Sequence, residues 1–337
     1  MSDVPSVYGM GCATNGDTLF ALGGNQGTLG FRLDFNLPAI SNWTSFDVDE
    51  QIGMYPSVIS TDKGVIVVGG DRSLDGSPVR FFSNETLKLT TGPSMARREV
   101  GMLMKASLVQ NDLVPTEYIS FGGKQVQMKL PALRIYDSAQ EKWRLVGFKS
   151  KKIYDEDRIV AIANGTLYVL TAGEDGTTAE TIRTYNLQSK SWKSKKATGT
   201  PAPLIPGLAV TQNSTSIFVV FSQSIFILNL AILEWTENEI HGLEGRTHGC
   251  LAYSKGYLIH AFGLATSTQS SSSTQLIDLE NMSLVSPAPE PQQQTSSPDN
   301  KLLYMFLGIS SGLIFIILLV YFLRRRNAAK ARPQREF

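Results

Sequence analysis

The chain has 337 residues at 36.9 kDa, 42% hydrophobic and 18% charged, with two cysteines and a net charge of +1. That composition excludes a disordered or collagenous chain and a small disulfide-stapled scaffold. The charge is uneven: residues 324–337 hold five arginines and one lysine against Glu336, a net +5, which leaves −4 for residues 1–323. A body of that sign gives nucleic-acid binding no support.

From the N-terminus, six segments repeat one pattern: an apolar strand, a tight turn, a second apolar strand, then usually glycine. They cover residues 6–24, 53–70, 98–123, 157–173, 204–222 and 246–263. Their ends, Gly24, Gly70, Gly123, Gly173, Ser222 and Gly263, lie 46, 53, 50, 49 and 41 residues apart. That is the period of a four-stranded propeller blade, not of a helical solenoid. Asn15-Gly16, Lys63-Gly64, Asn164-Gly165 and Lys255-Gly256 supply the positive-φ residues that two-residue hairpins need. The pairs Gly23 and Gly24, Gly69 and Gly70, and Gly122 and Gly123 mark close backbone approach or positive φ.

A third strand follows each segment, at residues 31–35, 79–83, 133–137, 182–186, 225–229 and 275–279. Trp43, Trp143, Trp192 and Trp235 then open a fourth strand in four units. A ring at that position covers the face between neighbouring blades and buries about 150–250 Å². Arg32, Arg80, Arg134 and Arg183 recur at one position of the third strand. They predict inter-blade ion pairs or a solvated strand face, with a cationic rim for an acidic ligand as the functional alternative.

The order of these features (apolar run, Gly-Gly, a variable stretch, Tyr-Asp, then Trp) resembles the kelch repeat. Unit three carries Gly122-Gly123, Tyr136-Asp137 and Trp143. Unit four carries Gly173, Tyr185-Asn186 and Trp192, and unit six opens on Arg246-Thr247-His248-Gly249. Unit two lacks the Trp, and unit five has Phe221-Ser222 in place of glycines. The resemblance covers roughly residues 6–286. It implies an all-β, kelch-type β-propeller of six four-stranded blades, or seven if the start of the chain is incomplete.

The propeller is expected over residues 1–283. A Pro, Gln and Ser-rich stalk follows at 284–301, too poor in large apolar residues to pack. Residues 302–323 are 22 residues without a charge, long enough for a transmembrane helix of roughly 33 Å. Arg324, Arg325 and Arg326 then predict a cytosolic tail over 324–337. Gly308-x-x-x-Gly312 is a small-xxx-small pattern through which two such helices pair. The propeller is therefore expected outside the cell or in a lumen. Residues 1–16 contain no apolar h-region, so a signal peptide upstream of Met1 is the expectation, with a cytosolic tail-anchored domain as the alternative. Five sequons, at Asn42, Asn84, Asn164, Asn213 and Asn281, are roughly twice the number that composition supplies and are candidate glycosylation sites.

Kelch-like propellers also resemble those of radical copper oxidases, whose chemistry needs two His and two Tyr ligands. The histidines here are His241, His248 and His260. Hairpin register offsets His248 from His260 by about three residues, roughly 10 Å, so no shared metal, no cofactor and no catalytic residue are expected. The acidic run Asp155, Glu156 and Asp157 reads as a solvated turn, and Ser270–Ser273 as a flexible loop. Cys12 and Cys250 hold equivalent places in units one and six. Equivalent residues on adjacent inner strands are expected beyond the ~7 Å a disulfide spans, which predicts two buried thiols. The reading is a non-enzymatic, membrane-anchored interaction module for a protein or glycan. The alternative is an inactive relative of secreted propeller oxidases that binds carbohydrate.

Overall fold

The second strand of blade two, Gly64–Gly69, reads GVIVVG and is buried along its whole length. Alternate side chains of a strand point to opposite faces. Val65 and Val67 accordingly pack towards blade one, and Ile66 and Val68 towards blade three. A continuous apolar run is what a strand covered on both faces requires.

Repeated round the chain, this gives six sheets of consecutive strands, antiparallel except where the two-residue strand Thr198–Gly199 joins Glu234–Glu239 in parallel. The computed structural model describes residues 7–61, 64–70, 79–92, 104–124, 133–146, 160–171, 177–205, 207–265, 269–271 and 273–285. The innermost strands are Met10–Asn15, Pro56–Thr61, Met104–Gln110, Val160–Ala163, Ala209–Gln212 and Cys250–Ser254. Among the described residues, six apolar clusters form, one between each pair of neighbouring blades, and the cluster joining blades six and one closes the ring. Gly308, Gly312 and the apolar stretch 302–323 lie outside the described residues, as do Asp155, Glu156, Asp157 and Gly173. Among the described residues no helix is long and apolar enough to cross a membrane.

The turn between strands three and four explains why Tyr-Asp and Trp recur at fixed spacing. Asp137 Oδ1 accepts hydrogen bonds from the amides of Ala139 and Gln140 at 2.9 and 3.2 Å. Asn229 and Asp278 do the same for the residues two and three further on, and Asn186 for Ser189. The fourth residue after each cap, Glu141, Lys190, Leu233 or Met282, then has positive φ. A short acceptor that bonds its own turn is what places Asp or Asn there. The chain reverses and sets Trp143 opposite Tyr136, and Trp192 opposite Tyr185.

Each tryptophan reaches the preceding blade. Trp235 is buried and donates from Nε1 to the Ala179 carbonyl at 3.1 Å. Trp192 lies 6.2 Å from Phe121, and Trp143 joins the cluster between blades two and three. Trp43 lies 4.6 Å from Phe262 and donates to Thr274 Oγ1 at 2.7 Å, across the ring closure.

Two hairpins differ from the sequence expectation. Thr61 pairs with Gly64, so the loop is residues 62–63, outside the described residues, and Gly64 opens the next strand. Asn15 pairs with Thr18, which leaves Gly16 and Asp17 as the loop. The Asn15 amide is used elsewhere, donating to the Thr61 and Gly64 carbonyls of blade two at 2.9 and 3.1 Å. At Asn164-Gly165 and Lys255-Gly256 all four residues have positive φ, as the two-residue turn demands.

The two cysteines are not thiols. Cys12 and Cys250 form a disulfide with a Cα–Cα distance of 5.7 Å. The expectation failed because it set neighbouring innermost strands too far apart. Where blade six meets blade one, Gly9 donates to the His248 carbonyl at 3.0 Å and Gly263 to the Val7 carbonyl at 3.0 Å. These bonds draw the two innermost strands to within bridging distance.

Candidate functional site

The six innermost strands surround a channel of about 720 Å³, within the range of ligand-binding cavities. Three polar side chains of its wall tie one blade to the next. The Ser60 hydroxyl donates to the Thr14 carbonyl. Gln212 Oε1 accepts from the Ile162 amide at 2.9 Å, and Asp112 Oδ1 from the Gly165 amide at 2.9 Å. Among the described residues of the wall there is no lysine or arginine, and Asp112 is the one acidic residue.

One mouth of the channel is built differently. Just before the innermost strands of blades one, two, five and six stand Gly9, Tyr55, Gly207 and His248, all with positive φ: 72°, 59°, 78° and 56°. Backbone hydrogen bonds join them in series. Tyr55 donates to Gly9 at 2.7 Å, Gly9 to His248 at 3.0 Å, and His248 to Gly207 at 2.5 Å. Glycine adopts this conformation freely, whereas Tyr and His each pay about 1–2 kcal/mol for it. The glycines also make room for the rings. A Cβ on Gly9 would lie 3.2 Å from Tyr55 Cε1, and one on Gly207 2.3 Å from His248 Nδ1. The Tyr55 and His248 rings meet at a centroid distance of 5.2 Å. Sequence reasoning missed Tyr55. Aligning the starts of the units would have shown two bulky rings where two other units carry glycine.

His260 is on the second strand of blade six, cross-strand from Leu251 and so three residues from His248 in register. It is fully buried, and it does not line the channel. Burial, with the Arg246 charge beside it, pushes its imidazole down to about 3. The unfolded chain takes up a proton near pH 6.5 and the folded chain does not, so stability is complete above that pH and falls towards pH 3. The slope is about 1.4 kcal/mol per pH unit, and the expected loss at pH 5 is about 2 kcal/mol. Urea unfolding at pH 7 and pH 5 should show this loss in the native chain and not in His260→Gln. Equal losses in both would assign it to another group.

Arg246, singled out by the repeat, is a structural cation. Its buried guanidinium pairs with Glu244 at 2.5 Å and donates to the Ser273 carbonyl at 2.6 Å. Burial disfavours the Glu244 carboxylate, but Arg246 and the Ser271 and Ser273 hydroxyls hold it below the usual range. The serine run was expected to be a flexible loop. Ser271 and Ser273 donate to Glu244 at 3.1 and 3.2 Å, on the carboxylate that pairs with the buried Arg246.

Arg80 and Arg134 do not form a rim. Both are buried and donate to the Gly69 and Gly122 carbonyls at 3.4 and 3.2 Å, and Arg80 also pairs with Glu50 at 3.3 Å. Arg32 pairs with Asp34 in its own strand, and Arg183 is half-buried. Tyr136 is buried between blades two and three, where burial pushes its hydroxyl up to about 12. Of the glycine pairs, Gly23, Gly24, Gly69, Gly70 and Gly122 have positive φ, and Gly123 lies in the strand Glu117–Lys124. Of the sequons, Asn42, Asn164 and Asn281 are exposed and Asn84 is half-buried. Asn213 is also half-buried and caps its own turn, accepting from Thr215 and Ser216.

These features define a six-bladed β-propeller with an open axial channel. The chain is similar to the solved structure described as "Structure of YjhT", with a TM-score of 0.65 and 14% identity, over 85% of this chain and 99% of that one. At that identity the likeness shows the fold alone. No protein-family model and no curated protein sequence matches the chain.

Proposed function

We propose that the chain is a membrane-anchored, kelch-type propeller acting as a non-enzymatic interaction module for a protein or glycan. The propeller lies outside the cell or in a lumen, and residues 324–337 lie in the cytosol. The observation that carries this reading is the Cys12–Cys250 disulfide, since such bonds persist in oxidising compartments. The uncharged stretch 302–323 followed by three arginines supports the same topology. So do the exposed sequons Asn42, Asn164 and Asn281. A rigid ring of blades that presents its connecting loops at both ends suits recognition.

The full-length chain expressed in eukaryotic cells should lose apparent mass on glycosidase treatment. It should also be cut within residues 284–301 by protease added outside intact cells. An unchanged mass, together with free labelling of both cysteines in the unreduced chain, would place the propeller in the cytosol and overturn the topology. Peroxide release from primary alcohols by the copper-loaded chain would make it an oxidase and overturn the non-enzymatic reading.

A further inference from the structure

We propose that Asn164 carries an N-linked glycan whose first sugar seats on the exposed tip formed by Leu113 and Val114, so that the sugar fastens blade three to blade four. This rests on the outward-facing topology proposed above and adds to it one modification site with a built seat.

The tip belongs to the loop between the first two strands of blade three, Met104–Gln110 and Glu117–Lys124. Hydrogen bonds hold it in place. Asn111 is buried, accepts from the Leu113 amide at 3.1 Å and donates to Glu117 Oε2 at 2.8 Å. The Val114 amide donates to the Asn111 carbonyl at 3.2 Å, and Gln110 Nε2 to the Pro115 carbonyl at 2.8 Å. Leu113 and Val114 are nevertheless 57% and 41% exposed, two of the four large apolar side chains left exposed among the described residues. A loop that only has to turn is served by polar residues. Fixing apolar side chains in water gains nothing by itself, so the loop's own bonds do not account for them.

The same tip lies on the turn that presents the sequon Asn164-Gly165-Thr166. Asp112 Oδ1 accepts from the Gly165 amide at 2.9 Å. A Cβ on Gly165 would lie 2.3 Å from Leu113 Cδ1, so Leu113 rests on the residue next to Asn164. Gly165 is buried there, whereas Asn164 is exposed, with a φ of 49°. A sugar joined to the Asn164 side chain therefore starts beside Leu113. That first sugar, an N-acetylglucosamine, has an apolar C–H face and an acetyl methyl, which gain by leaving water against Leu and Val. Its covalent link supplies an effective concentration on the order of millimolar, so even a weak contact is populated. A free ligand or a partner protein lacks that advantage.

The test uses the full-length chain made in eukaryotic cells that keep its glycans high-mannose. Peptide mass spectrometry should find Asn164 glycosylated. Thr166→Val removes that glycan and keeps the asparagine. It should speed hydrogen exchange across residues 111–117 at least threefold and lower the melting temperature by a few degrees. In a chain that also carries Leu113→Ser and Val114→Ser, Thr166→Val should change neither. Trimming every glycan enzymatically to its first sugar should leave exchange in the native chain unchanged, and removing the glycans whole should speed it. That second measurement needs no substitution. Glycans on other sequons with none on Asn164 overturn the proposal and leave the topology standing, whereas no glycan on any sequon overturns both. Equal effects of Thr166→Val with and without the serine pair overturn it, as does no effect in either. Self-association of the native chain that the serine pair abolishes would assign the tip to a second copy and overturn it as well.

Discussion

Replacing both Cys12 and Cys250 by alanine is expected to lower the unfolding free energy by roughly 2–5 kcal/mol. The two residues are 238 positions apart, so the bond closes nearly the whole propeller and removes many open conformations from the unfolded chain. Its place in the ring matters as much as its span. Among the described residues every blade is made of consecutive strands, and none is completed by a strand from the other end of the chain. Blades six and one are therefore held by side-chain packing, by a few hydrogen bonds such as Trp43 to Thr274, and by this covalent link. The exposed Lys255–Asp17 pair at the same seam adds little. Urea unfolding of the oxidised chain and the double alanine variant measures the difference. Hydrogen exchange should also rise first in the strands Met10–Asn15 and Cys250–Ser254. Superimposable unfolding curves would show that packing alone holds the seam.

Gly70→Ala is expected to destabilise the fold by several kcal/mol, and Gly122→Ala by only about 1 kcal/mol. Both belong to the repeated glycine pairs and both have positive φ, at 104° and 73°. Their surroundings differ. A Cβ on Gly70 would lie 2.1 Å from the Ile52 carbonyl oxygen, whereas one on Gly122 would meet nothing within 4 Å among the described residues. Ile52 is fully buried in the cluster between blades one and two, so its backbone has little room to retreat. Strain and overpacking on the order of 1–3 kcal/mol each then add. Equal unfolding midpoints for the two variants would mean that the carbonyl moves aside at low cost.

The fold was legible because its causes are local. The run GVIVVG needs both faces covered whatever lies beyond it, and Asp137 caps its own turn through residues two and three positions away. Repeating such units six times leaves few architectures that bury every face. The mouth of the channel was not legible by the same route. Tyr55 and His248 are 193 residues apart, and nothing near either one announces a left-handed backbone or a shared contact.

Strand period and the Asp or Asn caps before the fourth strands of blades three to six were thus determined by the sequence alone, since each depends on residues within one unit. The tertiary structure alone decided that Cys12 reaches Cys250, that Ser271 and Ser273 serve the partner carboxylate of the buried Arg246, and that the Ile52 carbonyl crowds Gly70. These depend on how far apart two blades stand at a given point. That distance is set by the closure of the whole ring, to which every unit contributes and which no single unit encodes.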